Sequence, residues 1–358
     1  MAKGNKGEWS EFYTFLRLLS DRQVYGANEN LEKLSELIYP IKKIGREETT
    51  GKVEYEFSEN EQVKIIRTGE EIVLVDTSDL KSKVTEIFKA IKGASNTTFE
   101  ITLADELMGR FIAQRLNAGN AQKEDIVLKI HDQITNTDPE VGFSIKSMLG
   151  SPATLLNASS ATNFVFKVAG ASDDLMTEIN EISTRSKLRD RLGLIKEKSG
   201  NLEYVSCSET FERNMRKVDT ILPEILANLL VEYYSGVGSS ISTLTENANH
   251  EYSQISNYHL KPEDIRHKVG GFLRDVALGM VPNTAWDGNM RAHGGYLVVK
   301  EDGDVVCYHV YNADAFREYL IKNTKFETPS TTRHQFGEVY KEGDEYFIKL
   351  NLQIRFIR

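Results

Sequence analysis

With 358 residues, 40% of them hydrophobic, the chain is long enough for one large core or two, and its composition is that of an ordinary globular protein. No apolar run approaches the roughly 20 residues that span a bilayer, and Cys207 and Cys307 are too few and too far apart for a disulfide framework or a zinc cluster. The net charge of −9 argues against a non-specific nucleic-acid binder, although a DNA enzyme needs only a local basic surface.

Residues 7 to 19, GEWSEFYTFLRLL, place Phe12, Phe15, Leu16 and Leu19 on one face, the spacing of an amphipathic helix. Glu8 and Glu11 project from one side near its start, where acids complement the helix dipole. Between Tyr39 and Asp76 lie four β-patterned runs, YPIKKI, KVEYEF, VKIIRT and EIVLVD, broken at Gly51 and at Thr68-Gly69-Glu70. They read as a small antiparallel insertion. Helices are expected at about 80–91 and 104–116, the second with Leu107, Phe111, Ile112 and Leu116 as its stripe.

The stretch KEDIVLKIHDQITNTDPEVGFSIKS, Lys123 to Ser147, reads as a hairpin. Ile126, Leu128 and Ile130 alternate with polar neighbours, as do Phe143 and Ile145, and Thr135-Asn136-Thr137-Asp138-Pro139 supplies turn chemistry. If the apolar residues share one face, Asp125, Ser144 and Lys146 share the other, with Asp125 opposite Lys146. A carboxylate and a lysine held close on a rigid sheet are the minimum for metal-assisted phosphodiester hydrolysis. The acid holds a hard cation, and the lysine orients water or offsets charge on phosphate. An isolated Asp…Lys pair on a surface hairpin is, by itself, a common polar face.

After Gly150-Ser151-Pro152 come a polar cluster (Asn157, Ser159, Ser160, Thr162, Asn163) and a strand, Phe164 to Val168. Short polar side chains of this kind cap local backbone or contact DNA, and the pattern supports both equally. Residues 183–200 carry a dense basic run, either a solvated helix face or a phosphate track. A helix through Ile221, Ile225, Leu229 and Leu230 precedes a polar stretch, Ser235 to Asn249, read as a loop or boundary. The last third holds a helix near 267–280, a hairpin (296–300 and 305–311), a helix at 313–322 and a final hairpin (338–341 and 346–356). Between these last two, KNTKFETPSTTRHQFG reads as an exposed basic loop whose Lys325, Arg333 and His334 suit phosphates and guanine edges. No GxxxxGK[ST], GxSxG, HExxH or CxxC occurs, so nucleotide hydrolase, serine hydrolase and zinc-enzyme readings have no support.

An Asp opening one strand and an acid-x-Lys closing the next is the pattern of the PD-(D/E)xK nucleases. This chain resembles it in degenerate form, with Glu124 for the usual Pro and Ser144 for the second acid. GFSIKSMLGSPATLLNASSATNF (Gly142 to Phe164) resembles the HpaII-like type II restriction endonucleases. So do GNKGEWSEFY (Gly4 to Tyr13), GFLRDVALGM (Gly271 to Met280), WDGNMRAHGGYLVVK (Trp286 to Lys300), NTKFETPSTTRH (Asn323 to His334) and LNLQIRF (Leu350 to Phe356). The resemblance implies a mixed α+β restriction-endonuclease-like core with four segments: an N-terminal helix (1–36), a β-rich insertion (37–95), the catalytic core (96–235) and a C-terminal recognition part (236–358).

It further implies Mg²⁺-dependent, site-specific cleavage of double-stranded DNA, with CCGG as the suggested target and 5′-phosphate ends. Asp125 and the Ile145 carbonyl would hold the metal, Glu8 would supply the acid absent at Ser144, and Lys146 would position water. Asn157, Ser159, Asn163, Lys325, Arg333 and His334 would contact DNA. A homodimer on a palindromic site, a cognate DNA methyltransferase, no membrane association and a bacterial cytoplasmic setting complete the expectation. The alternative is a catalytically inactive, sequence-specific DNA-binding protein on the same fold, motivated by Ser144 where an acid is expected.

Overall fold

The computed structural model describes residues 2–67, 69–117, 124–133, 135–199, 202–247 and 258–357. Thr68 of an expected turn, Lys123 at the start of the expected hairpin, and Ala248 and Asn249 at the end of the polar stretch therefore lie outside the described residues. Two compact units divide the chain, Met1–Ala153 with Met290–Tyr319, and Thr154–Asn289 with Leu320–Arg358. Helices and sheets are mixed in both. No described helix is long and apolar enough to cross a membrane.

The first unit contains β1 (Lys3–Gly4), α1 (Lys6–Asp21), β2 (Gln23–Ala27), β3 (Lys33–Glu48), β4 (Gly51–Phe57), β5 (Gln62–Arg67) and β6 (Glu70–Asp76). It continues with α2 (Leu80–Gly93), β7 (Phe99–Glu100), α3 (Thr102–Arg110), β8 (Ile126–Ile130) and β9 (Glu140–Ser147), and regains β13 (Gly295–Val299) and β14 (Val305–His309) later in the chain. A nine-stranded sheet runs β2-β14-β13-β9-β8-β3-β4-β5-β6, and β2 also pairs with β3. The runs expected as a separate insertion thus extend the main sheet, because β3 pairs with β8 through residues 41–45 while carrying β4 through 43–48. The compact units and the four sequence segments cut the chain at different places for the same reason. Strand pairing joins stretches that are distant in sequence.

Helix α1 begins where Asn5 accepts from the Gly7 and Glu8 amides while Glu8 reaches back to the Asn5 amide, a reciprocal capping box. Its stripe of Trp9, Phe12, Phe15, Leu16 and Leu19 is fully buried and meets Ile44, Ile126, Leu128, Phe143 and Leu297 in one apolar cluster. Helix α3 stops at Arg110, short of the expected Leu116. The Glu48 carboxylate takes up the Gln114 and Arg115 amides at 2.7 and 3.1 Å, giving that backbone a partner outside a helix.

The second unit begins with β10 (Thr154–Leu156), β11 (Asn163–Val168), α4 (Asp173–Glu181), α5 (Lys187–Lys198), β12 (Leu202–Ser206), α6 (Glu209–Val218) and the buried α7 (Leu222–Ser235). It ends with β15 (Thr324–Phe326), β16 (Val339–Glu342), β17 (Glu345–Asn351) and β18 (Ile354–Phe356). Two sheets form, β12-β11-β17-β16 and β10-β18-β15. The run expected as one final strand, 346–356, is therefore two strands in two sheets. The expected basic loop contains β15, with Thr324 and Phe326 buried, and a short helix, Thr331–His334. The described part of the polar stretch contains a helix, Ile241–Glu246.

Candidate active site

Strands β8 and β9 pair antiparallel with Ile126 opposite Phe143 and Val127 opposite Gly142. The expected register sets Asp125 opposite Lys146, whereas this one brings Ser144 across from Asp125. The slip is two residues, and because side chains alternate faces with period 2, a two-residue slip preserves the face. Ile126, Leu128, Phe143 and Ile145 enter the core, and Asp125, Ser144 and Lys146 gather on the opposite face.

They form a continuous polar chain. The Ser144 hydroxyl donates to Asp125 Oδ2 at 3.1 Å, and Lys146 Nζ donates to Ser144 Oγ at 3.0 Å. The Ile145 amide also donates to Asp125 Oδ2, at 2.6 Å. Ile145 thus meets the acid through its N–H, and this bond fixes the carboxylate against the strand. Lys146 lies over the Tyr296 ring, 5.1 Å from its centroid. Strand β13 delivers that ring by pairing parallel with β9, Tyr296 beside Ser144. Tyr296 is fully buried, and burial, with Tyr319 and Asp125 adding, pushes its hydroxyl well above the usual range. The ring stays neutral under the ammonium.

Beside this chain lies an open cleft of about 300 Å³, lined among others by Glu124, Asp125, Val127, Glu140, Lys52 and His293. Gly45 and Val127 line it side by side on β3 and β8, and Val127 is paired on its other side with Gly142 of β9. One wall is a charge lattice. Glu140 meets Lys43 and Lys52 at 2.9 Å each, and Glu54 meets them at 2.9 and 3.1 Å. Hydrogen bonds from Lys43 and Lys52 hold the Glu140 carboxyl below its usual range.

Glu8 sits on α1, whose Ser10 hydroxyl is 2.7 Å from that of Ser147 at the end of β9. Its own Oε2 accepts from the Asn5 amide at 2.8 Å. Among the described residues, no group of three or more His, Cys, Asp or Glu side chains is arranged to hold a metal.

Within the second unit, the candidate DNA-binding residues divide by burial. Asn157 and Arg333 are exposed, Ser159, Lys325 and His334 are intermediate, and Asn163 is buried. Asn163 donates to the His334 carbonyl at 2.9 Å, joining the polar cluster to the basic segment. Asn163 is itself held by Asn351, a fully buried residue that sequence reasoning did not single out. Its amide donates to Asn163 Oδ1 at 2.7 Å and to the Ser159 carbonyl at 2.8 Å. Arg191, from the basic run, is buried and donates to the Gly337 and Asn180 carbonyls, so this member of the run braces the fold.

Tyr296, His293 and the glycines paired with Val127, Gly45 and Gly142, were likewise missed. Only the WDGNMRAHGGYLVVK block hinted at the first two. A family model described as HpaII restriction endonuclease matches residues 5–356. The type II restriction enzyme HpaII of Haemophilus parainfluenzae is 42% identical over 364 residues, covering 99% of this chain and 98% of that protein. No solved structure matches.

Proposed function

The chain belongs to the HpaII restriction endonuclease family, and from that membership we propose that it cleaves double-stranded DNA at CCGG with a divalent metal, leaving 5′-phosphate ends. The observation that carries the proposal is the Lys146–Ser144–Asp125 chain on one face of β8 and β9. It holds an acid and a lysine at fixed separation beside an open cleft.

The donor set suits Mg²⁺ rather than zinc or a caged ion. Mg²⁺ takes oxygen ligands, keeps several waters and uses one or two carboxylates together with substrate phosphate, so no three-residue cage is needed. Asp125 and the Ile145 carbonyl would hold it. Glu8 is the further proposed ligand, direct or through water, although its Oε2 is engaged in the helix cap. Bound there, the metal supplies an activated water and neutralises charge on the phosphate.

The protein's own groups do the rest. The Ile145 amide and the Ser144 hydroxyl orient the Asp125 carboxylate, and Lys146 directs the attacking water and offsets charge developing on the scissile phosphate. Tyr296 beneath the ammonium restricts where Lys146 can swing. Asn157, Ser159, Asn163, Lys325, Arg333 and His334 are the proposed DNA contacts. A palindromic target suits a homodimer, and a nuclease of this kind needs a methyltransferase of matching specificity to protect host DNA.

The test is digestion of plasmid DNA of known sequence with and without Mg²⁺, with mapping of fragment ends. Cleavage at CCGG that Asp125→Asn and Lys146→Ala abolish is the expected result, with DNA binding retained in Lys146→Ala. Removing the Asp125 charge should tighten metal-free binding. Binding at one sequence without cleavage under any divalent metal would leave the inactive DNA-binding reading instead.

A further inference from the structure

Gly142 stands in the middle of β9, where glycine is unfavourable, and its backbone is not in the left-handed region. A strand-interior glycine with ordinary dihedrals calls for a reason in space rather than conformation. A Cβ built at Gly142 would lie 1.8 Å from Glu124 Oε2, 2.8 Å from its Cδ and 2.9 Å from its Cβ. The missing side chain is the room that the Glu124 carboxylate occupies. Glu124 immediately precedes Asp125, and both line the cleft with His293.

Of the other acids lining the cleft, Glu140 is engaged by two lysines and Glu47 is exposed. The Glu124 carboxylate, by contrast, has no hydrogen-bond or ion-pair partner among the described residues. A carboxylate seated on a glycine, half-buried and uncommitted, is placed for something that arrives from solution.

We propose that Glu124 is the second cleft carboxylate of the cleavage site, binding the divalent cation together with Asp125 whether or not Glu8 also reaches it, and that Gly142 exists to seat it. This rests on the reading of Asp125 as a metal-binding acid. Two adjacent carboxylates on one cleft match the oxygen-rich, water-retaining coordination of Mg²⁺, whereas a lone one holds it poorly. The position opposite Asp125 on β9 carries the Ser144 hydroxyl, so the second charge has to come from another direction. Gly142 opens that direction.

The experiment measures metal binding apart from turnover. DNA-free protein is titrated with Mn²⁺, the free ion is followed by electron paramagnetic resonance, and the metal concentration for half-maximal plasmid cleavage is measured in parallel. Glu124→Gln keeps the shape of the side chain and removes its charge. Gly142→Ala keeps the charge and evicts the carboxylate. Both should weaken Mn²⁺ binding by about tenfold or more and raise the metal requirement, and the double variant should be no worse than the worse single. A thermal melt shows whether Gly142→Ala still folds. If it does not, Glu124→Gln alone decides.

Mn²⁺ affinity and metal requirement unchanged in Glu124→Gln, with both lost in Asp125→Asn, would overturn the role of Glu124 and leave that of Asp125 standing. Unchanged metal binding in Asp125→Asn would instead overturn the reading on which the inference rests.

Discussion

Ser144 accepts a hydrogen bond from Lys146 and donates one to Asp125. It couples the orientation of the two groups without adding charge. Ser144→Ala should leave DNA affinity unchanged and slow cleavage of bound DNA by about ten- to a hundredfold, the worth of a hydrogen bond to a charged group. Single-turnover kinetics on pre-bound DNA would read this, and an unchanged rate would mean that the strands alone hold the pair. His309, at the end of β14, is buried with no partner for Nε2 among the described residues, and its Nδ1 accepts from the Tyr311 amide at 3.2 Å. Burial lowers its pKa to about 4, against an opposing pull from Asp132. The unfolded chain therefore binds this proton at higher pH than the folded one, and stability rises with pH between the two values. Stability should be fully present above about pH 6.5 and fall by roughly 3 kcal/mol as the pH drops toward 4. Thermal melts across this acid range would show the decline, and His309→Phe should flatten it.

Among the elements, α1 and the β8–β9 pair were legible because each follows its own period. Aromatic residues recur on one face of α1, and the hairpin alternates strictly enough that the face survives a two-residue error in register. What stayed hidden is non-local. Tyr296 reaches Lys146 only because β13 pairs with β9, and no periodicity in either strand announces that partner. Asn351 lies in a run that reads as one strand and is instead the end of β17, where its amide ties Asn163 to Ser159. The same tie restricts what the basic segment can do, since the His334 carbonyl is held by Asn163 and Arg333 stands exposed on a single short turn capped by Ser330. If Arg333 reads guanine, Arg333→Ala should cost about 1–3 kcal/mol on CCGG and little on scrambled DNA. A phosphate contact would instead lower affinity on both and reduce the salt slope by about one. Binding measured at two salt concentrations distinguishes these, and unchanged binding on both duplexes would shift attention to Asn157.

The whole molecule is two compact units, and each is assembled from two stretches that alternate with those of the other in sequence. That arrangement lengthens the contacts that must close before the sheet is complete, which slows folding relative to a sheet made of neighbours. It bears also on how the chain is made. Strand β9, with Ser144 and Lys146, is synthesised roughly 150 residues before β13 and Tyr296. At about 5–20 residues per second, that leaves on the order of ten to thirty seconds on the ribosome. Throughout that interval the strand bearing the lysine lacks its parallel neighbour and the ring beneath the ammonium. A chain released early, at Asn289 for instance, carries every proposed catalytic side chain but not the β13–β14 part of the sheet that holds them. If the chain cuts DNA as proposed, unfinished copies are built without a finished blade.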